Sequence, residues 1–188
     1  MKCPECLEMI HDHAEECPHC GMTLDRLSPS YEGIKVEVND GVHDVAGVLS
    51  LGMRKQMRAA VAECEKQFVG VSVVVSFIAL QDSQTIEGYG FWLMNNGEFS
   101  RGSVPQPELE NGRGRVILVV DVEWKRVALS YGYYFDGFLR DKENFDVLRT
   151  GHASLLEGEI VLGCEQILIS LKGLLKKAVI RSRREAKK

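Results

Sequence analysis

Four of the six cysteines lie in two Cys-x-x-Cys pairs near the amino terminus. Cys3 and Cys6 form the first pair, Cys17 and Cys20 form the second, and ten residues separate the pairs. Each pair can direct two thiolates at one centre, and four thiolates complete the tetrahedral shell of a structural zinc ion with no position left for catalysis. Disulfides or a redox pair are the alternative, and they are less expected in a chain without an export signal. We therefore predict one structural Zn2+ in a zinc ribbon of residues 1–25.

Three histidines lie in the same segment, and each could replace a cysteine as a zinc ligand. They are His11, His13 and His19. Because the four-thiolate set is complete without them, we expect them to be solvent-facing loop residues. The segment resembles the short zinc ribbons found at the ends of many bacterial proteins, and this resemblance implies docking more often than catalysis. The motif therefore indicates a metal without indicating a reaction.

Charged and aromatic residues flank two apolar runs in the second half of the chain, Val116–Val120 and Val127–Tyr131. The runs are joined by a short polar break, which predicts a hairpin of two buried strands. If the strands are antiparallel, the start of the first lies beside the end of the second. The residues at that common end are Arg113, Arg115, Tyr133, Asp136 and Asp141. We expect the functional site there.

The remaining apolar patterns predict the elements that must position these residues. The predicted elements are a strand over Ile34–Val38, a turn at Asn39-Asp40-Gly41, a helix capped by Ser50 with an apolar stripe between Leu49 and Phe68, a strand over Val71–Ile78, a helix from about Thr85 to Asn95, a loop from Gly97 to Gly114, a helix from Asp141 that ends at Gly151, and a helix from Leu155 to about Ile180. Phe145 and Leu148 are expected to be buried, and Cys64 and Cys164 lie on apolar stripes as core thiols. This order predicts an α/β fold, an α/β/α sandwich with a mixed sheet.

Composition and charge limit the class of protein. The 188 residues, 45% of them hydrophobic, can bury one full core with a small appendage. No run approaches the roughly 20 apolar residues of a membrane span, and no leader pattern is present, so we expect a cytoplasmic protein. We place a linker at residues 26–33, where Ser28-Pro29-Ser30 and Gly33 are typical of a connector.

The carboxyl-terminal segment is strongly basic. Eight Lys or Arg against one Glu between Lys172 and Lys188 give +7, which leaves about −11 for the rest of the chain. These cations can simply complement the negative end of a helix dipole in solvent. They can alternatively contact an acidic protein partner, anionic lipid or nucleic acid. Because no aromatic residue interleaves them, nucleic acid is the less expected partner.

The body of the chain resembles the TPM domain family. The matching residues are Asp44-x-Ala46-Gly47-x-Leu49-Ser50, the strand Val116–Val120, and Val127-x-Leu129-x-x-Gly132-Tyr133-x-x-Asp136-Gly137-x-Leu139-x-Asp141. The family contains α/β/α proteins of the thylakoid lumen linked to photosystem II repair and many bacterial proteins. Some members are described as acid phosphatases, and some bind a divalent ion at an acidic cluster.

The resemblance implies a second site. Carried over by position, Asp44, Asp136 and Asp141 would be ligands for Ca2+ or Mg2+, which prefer carboxylate oxygens. Where the family tends to carry an acidic residue, this chain has Arg113, which could pair with Asp136 or receive a phosphate. Structural roles are equally compatible with the pattern, with Asp44 capping a turn and Asp141 capping the following helix. His43 lies beside Asp44 and could act as an acid or base, although a lone histidine is more often a surface residue without such a role, and we expect it at the surface.

Two functions follow from these patterns. The first is an interaction or adaptor protein of the bacterial cytoplasm, in which the ribbon or the basic tail recruits a protein partner. The alternative is a weak acid phosphatase that hydrolyses phosphomonoesters with the help of a divalent ion held by the three carboxylates. In both cases we divide the chain into a ribbon at residues 1–25, a linker at 26–33, a TPM-like domain at 34–178 and a basic tail at 179–188.

Overall fold

A mixed β-sheet forms the middle layer of the protein. The computed structural model describes residues 2–11, 14–101, 104–105, 114–135 and 137–185. The strands formed by these residues are β1 (Glu37–Asn39), β2 (Val42–Asp44), β3 (Ser72–Ile78), β4 (Glu98–Arg101), β5 (Val104–Pro105), β6 (Arg115–Asp121) and β7 (Arg126–Tyr131). Their order across the sheet is β5-β4-β1-β2-β3-β6-β7. β1 pairs with β4, β2 with β3 and β3 with β6 in parallel, and the other neighbours are antiparallel.

Helices cover both faces of the sheet. They are α1 (Leu24–Leu27), α2 (Leu51–Glu65), α3 (Ile86–Asn96), α4 (Asp141–Leu156) and α5 (Ile160–Glu185). One core lies between the sheet and α2, α4 and α5, and the second lies between the sheet and α1 and α3. The predicted α/β/α sandwich with a mixed sheet is therefore confirmed.

The central strands are apolar on both sides because both sides are covered. Successive side chains of a strand point to opposite faces, and in β3 the residues Val73, Val75 and Phe77 enter the first core, whereas Val74 and Ile78 enter the second. Every residue of β3 and β6 is buried. The unbroken valine-rich runs in the sequence are the direct signature of this double burial.

The predicted turn after β1 is confirmed. Asn39 pairs with Val42 across a two-residue loop, and both loop residues, Asp40 and Gly41, have positive φ angles of 54° and 72°. This is the geometry of the tight hairpin turn that Asp-Gly favours. A Cβ on Gly41 would also lie 2.5 Å from Val61 Cγ1, so the turn packs directly on α2.

Two strands lie where a loop was expected. The prediction of a structureless segment from Gly97 to Gly114 is wrong over β4 and β5. β4 is held by parallel pairing with β1, and within that pair Phe99 lies opposite Val38. Because β4 is held by backbone pairing with its neighbours β1 and β5, it needs little apolar patterning, and its sequence carries no strand signal. The predicted strand at Ile34–Val38 is also displaced, since β1 covers Glu37–Asn39.

The helix break predicted at Gly151 is wrong. α4 continues through Gly151 to Leu156, and α5 begins at Ile160 rather than at Leu155. A Cβ on Gly151 would lie 1.9 Å from the backbone oxygen of Gly163 in α5, so this glycine allows two helices to touch. The chain turns instead at Gly158, where φ is +87°.

Two predictions about buried side chains have different outcomes. Phe145 is exposed rather than buried, and Val147 takes the core position on α4. The core thiols are confirmed, because Cys64 and Cys164 are both buried. Burial raises the pKa of Cys64 to about 11 and that of Cys164 to about 12, so neither thiol forms a thiolate readily at neutral pH.

The segment expected to be a linker packs against the body. It contains the end of α1 and a 3-10 turn over Ser28–Tyr31. Leu27 and Tyr31 are buried in the α3 core, and the Tyr31 hydroxyl donates a hydrogen bond to the backbone oxygen of Thr85 at 3.0 Å. The division of the chain into ribbon, linker, body and tail stays a prediction.

Candidate metal centre

The four cysteine sulfur atoms converge on one point. Cys3 Sγ lies 3.7 Å from Cys20 Sγ, Cys6 Sγ lies 3.7 Å from Cys17 Sγ, and all four lie within 4.8 Å of one another. A tetrahedron of sulfurs about 2.3 Å from a zinc ion has edges of about 3.8 Å, whereas a disulfide bond is about 2.05 Å long. The thiols are therefore arranged for one tetrahedral metal ion and not as disulfides.

The two cysteine pairs sit on matching turns. The Leu7 backbone N–H donates to the Cys3 oxygen at 2.9 Å, and the Gly21 N–H donates to the Cys17 oxygen at 2.8 Å. Leu7 and Gly21, each directly after the second cysteine of its pair, have nearly the same left-handed backbone, with φ of 62° and 68°. Glycine adopts this conformation without strain, and leucine does not.

The ribbon has little apolar material of its own. Its buried cluster consists of Cys3, Ile10, Cys17 and Met22, with Cys6 partly buried against them. So small a cluster cannot offset the conformational entropy of ordering the segment. The metal must therefore supply much of the folding free energy of the ribbon, as structural zinc does in small modules.

Electrostatics within the cluster favour a bound cation. Burial acts to raise the pKa of Cys17, but the backbone N–H groups of Cys20 and His19 lower it to about 6. Burial and the neighbouring thiols raise the pKa of Cys20 to about 12. The site therefore favours ionisation of the Cys17 thiol and disfavours ionisation of the Cys20 thiol. A divalent cation between the sulfurs would stabilise the Cys20 thiolate as well.

The histidines of the ribbon stand apart from the thiols. His11 and His19 are exposed, and His13 lies outside the described residues. Among the residues that the structure describes, the four cysteines are the only group of three or more His, Cys, Asp or Glu placed to hold a metal ion.

Asp44 serves the backbone around it. Its carboxylate is enclosed and accepts hydrogen bonds from the Val48 and Leu49 N–H groups, each at 3.1 Å. Arg54 Nη2 also forms an ion pair with Asp44 Oδ2 at 2.8 Å. These contacts order the turn before α2, whose own N-cap is Ser50 as predicted, with the Met53 N–H donating to Ser50 Oγ at 3.3 Å. The turn-capping interpretation of Asp44 is confirmed.

Asp141 lies at the other end of the sandwich. It is the first residue of α4, with Arg140 in the N-cap position, so it does not cap the helix as expected. Its carboxylate is exposed and forms an ion pair with Lys2 Nζ at 2.6 Å. At about 1.5 Å per residue, the 16 residues of α4 span about 24 Å.

The hydrogen bonds of α4 give its direction along the sheet. Tyr131, at the end of β7, donates to Asn144 near the start of α4, at 3.1 Å. Lys125, in the β6–β7 turn, donates to the Leu156 oxygen at the end of α4, at 3.0 Å. Asp44, opposite Phe77, is at the carboxyl end of β3, the same end as the β6–β7 turn. The structure therefore does not bring Asp44 and Asp141 together.

The other residues of the predicted site have different positions. Asp136 and Arg113 lie outside the described residues. Arg115 is buried, with its guanidinium carbon 3.4 Å from the centre of the Phe99 ring, and burial lowers its pKa to about 10. Tyr133 is exposed. The antiparallel β6–β7 hairpin itself is confirmed, with Val116 opposite Tyr131.

His43 is buried, contrary to the expected surface position. Its Nε2 lies 2.9 Å from the Lys35 backbone oxygen, and because a carbonyl only accepts, Nε2 carries the hydrogen. Nδ1 then accepts from Ser76 Oγ at 3.0 Å or from the Tyr89 hydroxyl at 3.2 Å. Burial lowers the pKa of His43, which keeps the ring neutral. The alternation of polar and apolar residues around β2 gave no sign of this network.

Two solved bacterial domains share the fold. The N-terminal domain of the cg2496 protein from Corynebacterium glutamicum matches with a TM-score of 0.52 and 16% identity over 71% of this chain and 78% of its own. The N-terminal domain of a protein from P. gingivalis matches with a TM-score of 0.53 and 17% identity over 82% of this chain and 88% of its own. No family model matches the sequence, and comparison with curated proteins finds no match. The chain is thus an α/β/α domain protein with a four-cysteine metal centre.

The lengths and side-chain polarity of the helices decide whether any of them could cross a membrane. Within the described part of the chain, none of the helices is both long and apolar enough to cross a membrane. α5, at 26 residues, has the length, but charged side chains occur along it.

Proposed function

We propose that this chain is a zinc-binding interaction protein of the bacterial cytoplasm, in which a zinc ribbon presents a docking surface and a TPM-type α/β/α domain provides a rigid base. The observation that carries the proposal is the closed four-thiolate cluster, whose sulfurs all lie within 4.8 Å of one another. Four protein ligands leave no position for a substrate, so the metal stabilises a surface instead of performing a reaction.

The ribbon offers a suitable surface for a protein partner. Leu7 and Met9 are 55% and 64% exposed, although the ribbon has few apolar residues to bury. Leu7 also occupies a left-handed backbone position, which costs roughly 1–2 kcal/mol for a residue other than glycine. A residue that is both strained and exposed contributes little to the ribbon itself. Strain of this kind is commonly retained at functional sites, here an apolar contact with a partner protein.

The TPM assignment is supported by the motifs from Asp44 to Ser50 and from Val127 to Asp141, and by the sandwich in which they lie. The alternative function, a phosphatase assisted by a divalent ion, receives no comparable support from the described residues. Asp44 is enclosed by its own hydrogen bonds, and Asp141 lies near the opposite end of the sheet.

The metal is tested by elemental analysis of the purified protein. We expect one equivalent of zinc per chain, and we expect the Cys17→Ser, Cys20→Ser double variant to lose it. Cys164→Ala is the matched control, because Cys164 is buried in the body away from the cluster. A wild-type protein without zinc, or one whose cysteines are disulfide-bonded after purification under reducing conditions, would contradict the proposal.

The docking surface is tested with the full chain as bait in quantitative cross-linking. Leu7→Gly should keep zinc and change ribbon stability by no more than about 1 kcal/mol, because glycine suits the backbone there. We expect Leu7→Gly and Met9→Ser to lose the partners that wild type captures. Glu5→Gln is the control for a change on the ribbon surface. Partner sets unaffected by Leu7→Gly, Met9→Ser and loss of zinc would rule out this function.

A further inference from the structure

A single apolar side chain near the end of α5 is surrounded by cations. Ile180 is 50% exposed. The residues three and four positions before and after it are Lys176, Lys177, Arg183 and Arg184, and all four are exposed. Residues at these spacings are the nearest neighbours on a helix surface, so the four cations lie on both flanks of Ile180. The outer face of this helix end therefore has an apolar centre and a cationic rim.

No acidic residue balances these cations within the helix. Residues 166–184 contain six Lys or Arg and no Asp or Glu. Two of the six are used inside the protein. Lys172 binds Glu63 of α2 at 2.7 Å, and Arg181 binds Glu143 of α4 at 2.7 Å. The other four are the cations of the rim, and an external anionic surface would relieve the repulsion among them.

The end of α2 lies beside this part of α5. Glu63 of α2 binds Lys172, and a second bond seven residues earlier on both helices shows that α2 and α5 run in the same direction. Lys66, which follows α2, is therefore level with the start of the cationic rim, and its side chain is exposed. Val69, in the next turn of the chain, is fully exposed. The end of α2 thus adds one cation and one apolar side chain.

The start of α4 lies on the other side of the same helix end. Arg181 donates to the backbone oxygen of Phe138 at 2.7 Å, so the segment before α4 is held against α5. Arg140 and Lys142 add two exposed cations there, and Phe145 is 64% exposed in the next turn. We call this part of the surface the basic end; it consists of Lys66, Val69, Arg140, Lys142, Phe145, Lys176, Lys177, Ile180, Arg183 and Arg184.

The acidic groups near the basic end are mostly neutralised within the protein. Asp141, Glu63 and Glu143 each bind a Lys or Arg. The rest of the chain is acidic, since the residues before Lys172 sum to about −11. A positive surface on an acidic protein directs that surface, and no other, toward an anionic partner.

An anionic lipid surface matches both the charge and the isolated apolar side chains. Nucleic acid would match the cations, but aliphatic Ile180 and Val69 offer no surface on which a base can stack. An acidic protein would need a separate pocket for each apolar side chain and carboxylates on every flank of Ile180. A bilayer offers phosphates on all sides and acyl chains beneath them, so single apolar side chains can enter while Lys and Arg stay at the headgroups.

We propose that the basic end binds the surface of a membrane rich in anionic phospholipid, without crossing it. Ile180 and Val69 enter the boundary between headgroups and acyl chains, and the cationic rim contacts the phosphates. This binding surface is separate from the ribbon and does not depend on the docking function proposed for it.

Cosedimentation of the full-length, zinc-loaded protein with vesicles tests the charge. Wild type should bind vesicles of equal parts phosphatidylglycerol and phosphatidylcholine, should not bind phosphatidylcholine alone, and should bind more weakly in high salt. Each cation at an anionic membrane contributes about fivefold to the binding constant, so Arg183→Gln, Arg184→Gln should bind roughly 25-fold more weakly. Lys35→Gln, Lys55→Gln is the matched control, because it removes the same charge from exposed positions elsewhere and should bind nearly as wild type does.

The apolar contact is tested separately. Ile180→Ser should weaken binding to the anionic vesicles by roughly tenfold, because the side chain no longer gains from leaving water. Leu51→Ser is the matched control, since Leu51 is 88% exposed at the start of α2, away from the basic end. Ile180→Trp should keep binding, and its fluorescence, after subtraction of the wild-type spectrum, should shift to the blue on anionic vesicles. Circular dichroism checks that each variant is folded.

Several results would overturn the proposal. They are a wild-type protein that does not bind the anionic vesicles, an Arg183→Gln, Arg184→Gln variant that binds no more weakly than its control, and an Ile180→Ser variant that binds as wild type does. Duplex DNA that displaces the protein from vesicles, and that binds Ile180→Ser as tightly as wild type, would assign the cations to nucleic acid instead.

Discussion

At the scale of single residues, the polar groups of the body are used to build the fold. Asp44 and His43 are neighbours in sequence and both looked like candidates for chemistry. In the structure, Asp44 organises the turn before α2, and His43 joins Lys35, Ser76 and Tyr89 in a buried network. Buried polar groups that are fully hydrogen-bonded specify one packing arrangement, and they are out of reach of a substrate.

The burial of His43 predicts a pH dependence of stability. The pKa of His43 in the folded protein is lowered below the ordinary value of 6.5, so the unfolded chain takes up a proton first as the pH falls. The contribution of neutral His43 is complete above that value and is lost progressively below it, by up to about 1.4 kcal/mol per pH unit.

We expect the free energy of unfolding in urea to decrease as the pH falls below about 6.5, and His43→Gln to remove part of this decrease. Glutamine can still donate to the Lys35 oxygen, so the variant should fold. His152→Gln is the control for a histidine that is not fully buried. Equal pH slopes for wild type and His43→Gln would show that the ring does not titrate as described.

At the scale of elements, close contact between α4 and α5 sets the shape of the helical layer. Gly151 and Gly163 face each other at the point where the two helices touch. The same residue type that suggested a helix end in the sequence is here the condition for helix packing. A glycine that ends a helix and a glycine that allows two helices to touch look the same in the local sequence. Only the position of α5 shows which role Gly151 has.

Gly151→Ala should destabilise the protein although alanine is the better helix former. The added Cβ would lie 1.9 Å from the Gly163 oxygen, so the helices must separate. Overpacking of this kind costs about 1–3 kcal/mol, more than the roughly 1 kcal/mol that alanine gains in helix propensity. Thermal and urea unfolding measure the difference.

Gly52→Ala is the matched control, because its Cβ would approach only Ser50 Oγ, at 3.9 Å. It should be neutral or stabilising. If Gly151→Ala were equally well tolerated, the contact between α4 and α5 would have to be looser than the structure shows.

At the scale of the whole molecule, a small ribbon with a four-cysteine site adjoins a body with its own cores. The ribbon cluster is separate from the two cores on either side of the sheet. The Lys2–Asp141 ion pair connects the ribbon to α4, but exposed pairs contribute only about 0–1 kcal/mol. The ribbon and the body should therefore differ sharply in their response to metal removal.

A zinc chelator should unfold the ribbon and leave the sandwich folded. Limited proteolysis after chelation should cut within residues 1–25, while the fragment beyond them stays resistant and its melting temperature changes little. Readdition of zinc should restore protection. Cooperative loss of the whole fold on chelation would show that the predicted boundary near residue 25 is wrong.

Local signals in the sequence predicted the parts of the structure that depend on neighbours in the chain. The cysteine spacing, the Ser50 cap, the Asp40-Gly41 turn and the runs of β3 and β6 are all of this kind. β4, Gly151 and the burial of His43 depend on distant partners, and no local pattern encodes those partners. The separation of Asp44 from Asp141 follows from sheet register and from the direction of α4, and neither can be deduced from the spacing of carboxylates.

The left-handed backbone at Leu7 has a consequence for related sequences. Random mutation at such a site should drift toward glycine or asparagine, which occupy this conformation at little cost, unless selection retains the leucine. If the proposed docking surface is used, orthologues that bind a partner there should keep a bulky apolar residue after the second cysteine. Orthologues in which this surface binds nothing should show the two halves of the ribbon converging on the same Cys-Gly ending.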